Sequence, residues 1–265
     1  MTFMTMKNPL RAKLAGRQPA YGVWVTLQDP AVTEIVAELG ADWVCLEMEH
    51  GALDYKDLVA HARAARGSGV AVLARLGVTT VDSVKRALDL GVDGVMLPLV
   101  RSADDVEQGF RFARYPGRGV RGIGVERAVH WGLRLRDYIE AANRETLVIP
   151  IIETRQASED IENILAVDGL EAIFFGPADL SLSCGHLGAW EGPGIAEDVL
   201  RIAGLAARRN IAAGVLTTGQ EDIRRRGQQG FKMIGLGSDV GLMIGGLKPL
   251  LTAFKGARYP EQGFT

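Results

Sequence analysis

The sequence predicts an α/β fold, a (β/α)8 TIM barrel, and three observations carry that prediction. Eight short apolar runs rich in β-branched residues recur along the chain, continuous instead of alternating, as strands buried on both faces are. Segments of helical period fill the intervals between them. One helix-to-strand corner is written three times, as Leu39-Gly40-Ala41-Asp42-Trp43, Leu90-Gly91-Val92-Asp93-Gly94 and Val167-Asp168-Gly169-Leu170-Glu171-Ala172. Eight strand-helix units close most naturally into a barrel.

The first run, Tyr21–Thr26, leads to a helix over Pro30–Leu39, with Pro30 suited to a first helical position. Trp43–Leu46 precedes Tyr55–Arg66, Val70–Ala74 precedes Thr80–Leu90, and Gly94–Leu97 precedes Ala103–Phe112. Tyr115–Trp131, rich in Gly and Arg and without period, then interrupts the alternation before a helical segment at Leu133–Asn143. So long a loop inside a barrel is usually functional or mobile. Leu147–Ile152 is followed by Gln156–Leu165, Ala172–Phe175 by a helix opening at Gly176-Pro177 and by Ile195–Arg209, and Ala212–Leu216 by Gln220–Gln229. The last run is Lys232–Leu236, and the apolar positions of Leu242–Leu251 read as packing or an oligomer interface. Gly40, Gly69, Gly91 and Gly230 follow the ends of their helices, where a left-handed cap favours glycine. No Pro/Ser-rich linker divides the chain, so residues 1–265 read as one barrel domain.

Composition narrows the partners. With 30 Lys and Arg against 32 Asp and Glu, the formal charge of −2 offers no basic surplus for a phosphate backbone, which sets nucleic acid aside. Two cysteines, Cys45 and Cys184, cannot make a disulfide framework and suit a reducing cytoplasm. Met1–Asn8 lacks the apolar core of a secretory signal, and no run is long enough to span a bilayer, so no membrane is expected.

In such a barrel the chemistry sits where strands end, which makes the polar residues after each run the candidates: Glu47, Glu49 and His50 after the second, Arg75 after the third, Glu153 after the fifth and Asp179 after the sixth. Glu153 and Asp179, on neighbouring strand ends, either hold a hard divalent cation such as Mg²⁺ or Mn²⁺, or cap the following helices and pair with arginine. His50 could move a proton near neutral pH or be a hydrogen-bonded structural residue. Arg75 fits the carboxylate or carbonyl of a 2-oxo acid, or a salt bridge to Glu47 or Glu49. Gly176-Pro177-Ala178-Asp179 opens a helix whose free N–H groups could hold a substrate carboxylate. Together these make a site for enolising a small 2-oxo acid.

Glu49-His50-Gly51, Ala74-Arg75, Arg114-Tyr115-Pro116, Gly119-Val120-Arg121-Gly122, Ile152-Glu153-Thr154 and Phe175-Gly176-Pro177-Ala178-Asp179-Leu180-Ser181, in this order, resemble the HpcH/HpaI aldolase/citrate lyase family of class II pyruvate aldolases. The resemblance implies a phosphoenolpyruvate/pyruvate-type barrel that assembles as a hexamer, a trimer of dimers, with a C-terminal helix exchanged between subunits. It also implies that Glu153 and Asp179 ligate a divalent metal ion, Mg²⁺ or Mn²⁺ before Co²⁺ or Zn²⁺, and that Arg75 stabilises the enolate. His50 would act with a metal-bound water as acid/base, supported by Asp89, with Glu49 near the metal's waters. Two positions depart from the family: Glu47 where Asp is usual, and Ile151 where a Gln is often found.

The reaction expected is cleavage or formation of 4-hydroxy-2-oxo acids, with pyruvate or hydroxypyruvate as enolate donor and an aldehyde as acceptor. No lysine directly follows a strand at the catalytic end to form a Schiff base. The rivals are an acyl-CoA lyase of the citrate lyase β or malyl-CoA type and a metabolite-binding barrel without catalysis. Gly117–Gly122 matches G-x-G-x-x-G but follows no strand, which rejects a Rossmann reading; Gly235-Leu-Gly237-Ser238-Asp239 is a weak phosphate candidate, and Arg224–Arg226 a solvated helix face.

Overall fold

The computed structural model describes residues 7–259, so the reading of Met1–Asn8 falls almost wholly outside the described residues. Eight parallel strands close in chain order into a barrel, β1 pairing with both β2 and β8. They are β1 Ala20–Val25, β2 Trp43–Glu47, β3 Ala71–Arg75, β4 Gly94–Leu97, β5 Leu147–Ile152, β6 Ala172–Phe175, β7 Ala212–Leu216 and β8 Met233–Ser238. The helices are α1 Pro9–Leu14, α2 Ala31–Glu38, α3 Tyr55–Ala64, α4 Val81–Asp89, α5 Ala103–Ala113, α6 Leu135–Glu145, α7 Arg155–Glu159, α8 Ile161–Ile164, α9 Pro177–Ser183, α10 Ile195–Arg208, α11 Gln220–Gln228 and α12 Asp239–Lys255.

Several boundaries differ from the sequence reading, each for a local reason. Pro30 is the N-cap of α2 and not its first residue. The single helix expected over Gln156–Leu165 is broken at Asp160, whose carboxylate accepts the N–H of Ala103 at 2.8 Å and so holds the start of α5. The loop before α6 contains a 3-10 turn, Arg127–Val129. No helix among the described residues is long and apolar enough to cross a membrane.

Two apolar layers follow from strand alternation. One set of residues, including Val23, Val44, Val72, Val95, Ile152, Phe175 and Ile234, faces the helices. The other fills the barrel: Trp24, Trp43, Cys45, Leu73, Met96, Ile149, Ile151, Phe174 and Met233. Leu10 and Leu14 of α1 join this inner layer and close the N-terminal end. The Trp43 ring needs Gly22 beside it, since a Cβ there would lie 2.1 Å from the ring.

The inward set also sets the position of the polar residues. Stepping by two from Cys45 reaches Glu47, from Leu73 reaches Arg75, and from Ile151 reaches Glu153, so all three point into the C-terminal mouth.

At the opposite end Asp93 accepts the N–H of Val72 at 2.8 Å. Burial raises its pKa to about 6, against smaller opposing effects of that hydrogen bond and Arg127. The native state therefore binds the proton more tightly than the unfolded chain, and this group's contribution to stability is lost as pH rises from about 4 to about 6. Asp93→Asn is expected to remove that slope: the difference in melting temperature, variant minus wild type, should grow across this window in a pH series of thermal melts.

Candidate active site

Glu47 organises the mouth. Its Oε1 accepts the N–H groups of Glu49 and His50 at 2.8 and 3.0 Å, which fixes the turn after β2. Its Oε2 accepts Trp24 Nε1 at 2.6 Å and Arg75 Nη1 at 3.3 Å. Burial acts to raise its pKa, but Arg75 and these three N–H donors outweigh it and hold the carboxyl below its usual range.

Arg75 bridges three acids, pairing with Glu47, Glu49 and, at 3.4 Å, Glu153. The salt bridges open to it in the sequence are thus formed, and Glu153 joins them. Burial opposes its charge, yet the surrounding carboxylates win and raise its pKa further.

Glu153 is 2% exposed. Its Oε1 accepts the main-chain N–H of Leu99 at 2.6 Å, from a residue in the left-handed region at φ 52°. Burial pushes its pKa up to about 7, opposed by the Leu99 N–H and Arg75 and reinforced by the charges of Asp179 and Glu49. Glu49 is raised by the same burial, with Arg75 and His50 pulling it down and Glu47 and Asp179 pushing it up.

A cavity of about 120 Å³ opens over this cluster. It is lined by Arg75, Glu153 and the run Gly176, Pro177, Ala178 and Asp179, and its apolar walls are Trp24, Ile151, Phe174, Trp190 and Leu216. Gly176 leaves room for Glu153: a Cβ there would lie 2.8 Å from Glu153 Oε2 and displace that carboxylate. The expected carboxylate cradle is thinner than the sequence reading had it. Pro177 has no N–H, and that of Gly176 is used by the carbonyl of Ile152 at 3.3 Å, leaving Ala178 and Asp179 as donors.

The donor set suits a hard cation. Among the described residues no group of three or more His, Cys, Asp or Glu is arranged to hold a metal ion. Glu153 and Asp179 are instead two carboxylates at one cavity, and Glu153 rises to about 7 partly through unrelieved repulsion from Asp179 and Glu49. A divalent ion relieves such repulsion, and Mg²⁺ or Mn²⁺ accepts one or two protein carboxylates with water or substrate oxygens in the other positions.

The remaining candidates lie apart from the cavity lining. The His50 side chain is 68% exposed, with Nε2 3.6 Å from Glu49 Oε2. Asp89 is not brought to His50 within the chain: it lies at the end of α4, toward the N-terminal end of the barrel, where its Oδ1 accepts Arg121 Nη2 at 2.7 Å. That arginine is fully buried between the rings of Tyr115 and Tyr138. Sequence reasoning did not assign Trp24, Phe174 or Leu216 to the site, although the inward alternation of their strands marks all three. The Leu99 amide carries no side-chain signal at all.

Residues 20–245 match the profile of the HpcH/HpaI aldolase/citrate lyase family. The hydroxypyruvate/pyruvate aldolase of Paraburkholderia phytofirmans is 33% identical over 247 residues, which cover 91% of this chain and 95% of that protein. A 5-keto-4-deoxy-D-glucarate aldolase of Escherichia coli is 30% identical over 248 residues, 94% of this chain and 97% of the relative. The crystal structure of an HpcH/HpaI aldolase/citrate lyase family protein from Burkholderia cenocepacia superposes with a TM-score of 0.89 at 30% identity, covering 94% of this chain and all of that one.

Proposed function

Because this chain belongs to the HpcH/HpaI aldolase/citrate lyase family and is a carbon–carbon lyase of the aldolase kind, we propose that it cleaves and forms 4-hydroxy-2-oxo acids by a metal-assisted, class II route. The enolate donor in this reading is pyruvate or a close 2-oxo acid such as hydroxypyruvate, and the acceptor is an aldehyde. One observation carries it: a guanidinium held among three carboxylates at the edge of a small cavity that Glu153 and Asp179 share.

Glu153 and Asp179 would hold the divalent ion, Mg²⁺ or Mn²⁺ before Co²⁺ or Zn²⁺, and when bound it supplies Lewis-acid polarisation of the 2-oxo group. Arg75, oriented by Glu47 and Glu49, presents N–H groups to the oxygen on which enolate charge develops. The N–H groups of Ala178 and Asp179 face the substrate's carboxylate. His50, at the mouth, takes the proton of the C4 hydroxyl, directly or through a solvent water. The C3–C4 electron pair then becomes the C2–C3 double bond of the enolate, the aldehyde leaves, and a proton returned to C3 gives the 2-oxo acid.

Support for His50 from Asp89 requires a second copy of the chain, since the two are not joined within one. A homo-oligomer is further supported by α12, on which Leu242, Met243, Ile244, Leu247, Leu250 and Phe254 are all exposed. A hexamer with this helix exchanged between neighbours is the assembly we propose. Two free thiols, Cys45 and Cys184, suit the cytoplasm.

A coupled assay for pyruvate release, run over a panel of 4-hydroxy-2-oxo acids with Mg²⁺, with Mn²⁺ and with EDTA, tests the reading. Turnover of at least one substrate that EDTA abolishes is expected. Activity untouched by EDTA refutes the metal route, and cleavage of malyl-CoA without pyruvate release from any substrate assigns the chain to acyl-CoA lysis. Gly176→Ala should displace the Glu153 carboxylate and weaken Mn²⁺ binding about tenfold or more with the far-ultraviolet circular dichroism unchanged, as calorimetry would read.

A further inference from the structure

At the opposite end of the barrel from the candidate active site, an open cleft of about 400 Å³ lies between the end of α3, the turn before β4 and the loop that carries the 3-10 turn. Arg63, Arg66, Arg127 and His130 line it, and the charge of Arg134 reaches His130 as well. Arg127 is an anchor: Nη1 donates to the carbonyls of Leu90 and Gly91 at 3.0 and 3.1 Å, and Nη2 to that of Ala62 at 2.7 Å. Among the described residues none of these four arginines stands in an ion pair with a carboxylate, whereas Arg86 in the last turn of α4 pairs with Asp82 and the buried Arg121 with Asp89. Asp93 is the one acid in the lining; its carboxylate accepts the N–H of Val72, and its charge offsets part of that of Arg127 but is not paired with Arg63 or Arg66. The mutual repulsion is felt: after burial, the charges of Arg63 and Arg66 depress the pKa of Arg127.

The backbone beside these cations is strained. His130, Trp131 and Gly132 adopt φ of 50°, 60° and 89°, three left-handed residues in succession, two of them with side chains. This turn sets Trp131 in the cleft with 63% of its surface exposed. Basic residues at helix C-termini favour the helix dipole, which accounts for Arg127 with its three carbonyls and for the place of Arg63 in the last turn of α3. Arg63 and Arg66 nonetheless reach out exposed and without a carboxylate partner among the described residues, beside an exposed aromatic face.

We propose that this cleft binds a small, multiply charged oxyanion, with Arg63 and Arg66 as its ligands and Trp131 as a flat wall. The guanidinium fork fits phosphate and carboxylate oxygens alike, so the chemistry shared by a polyphosphate and a polycarboxylate defines the ligand class.

Calorimetric titration of the full chain with pyrophosphate, and separately with citrate, is made without added divalent metal so that the candidate active site does not compete. Saturable binding of at least one is expected, weakened about tenfold or more in Arg63→Gln/Arg66→Gln while pyruvate release stays at the wild-type rate. Tighter pyrophosphate than citrate assigns a phosphate ligand, and the reverse a polycarboxylate. If the double variant is unstable, Arg66→Gln alone, past the end of α3, should still weaken binding about threefold. Absence of saturable binding of both anions, or unchanged affinity in the variants, overturns the proposal and leaves the arginines as partners of the helix ends. The titration does not depend on turnover, so its failure is distinct from failure of the aldolase reading.

Discussion

Glu153→Ala is expected to slow pyruvate release by about 10³-fold, equivalent to about 4 kcal/mol of transition-state stabilisation, while the barrel stays folded. The substitution removes one of two carboxylates at the cavity, so Mn²⁺ affinity should fall with it, and calorimetry on the same preparation checks that the two losses travel together. Stability should move the other way at high pH. Burial raises the Glu153 pKa to about 7, above that of an unfolded glutamate, so in the metal-free native state the group costs stability progressively as pH rises from about 5 to about 7. The melting temperature of the variant relative to wild type, without metal, should therefore climb across that window. The same sign governs metal uptake by the wild type. The carboxyl must lose its proton to bind a cation, and the apparent affinity is expected to fall as pH drops below about 7. A variant that keeps its rate within a few-fold would remove Glu153 from the chemistry.

Arg75→Lys is the second large effect. Charge is conserved, but a planar fork that reaches Glu47, Glu49 and Glu153 is replaced by one compact ammonium. We expect kcat/KM to fall by about 10² to 10³, the range typical of losing one preorganised donor to a developing oxyanion. Arg75→Met should add a folding defect of about 3–5 kcal/mol, because it strands carboxylates that are themselves buried. The pair of variants separates two roles. If Arg75→Lys turns over normally and only Arg75→Met is impaired, the guanidinium is a counter-ion to the acids and not a substrate contact. Steady-state rates and thermal melts on both proteins decide between them.

How far the sequence could be read depended on whether a contact is local. Strands such as Leu147–Ile152 stand out because burial on both faces demands an unbroken apolar run. Glu47, Arg75 and Glu153 could be picked as strand-end residues, and their common inward direction follows from a two-residue step along each strand. The six residues of α1 are too few to show a period, and only the finished barrel reveals that Leu10 and Leu14 close its lower end. The break at Asp160 was hidden because its cause is the N–H of Ala103, 57 residues away. The Asp89–Arg121 pair was hidden likewise, since Arg121 falls in a stretch without period and nothing local to either residue names the other.

The amide that grips Glu153 has an implication for how such a site can change over generations. Leu99 contributes its main chain, so every replacement other than proline retains the donor, and glycine would adopt the left-handed turn with less strain. A contact of this kind is nearly immune to point mutation. Side chains around the cavity that make no polar contact, such as Ile151 and Leu216, are free to drift and with them the choice of substrate, while the acid at the centre keeps its orientation. Diversification of substrate around a constant reaction is the expected outcome of that division between backbone and side chain.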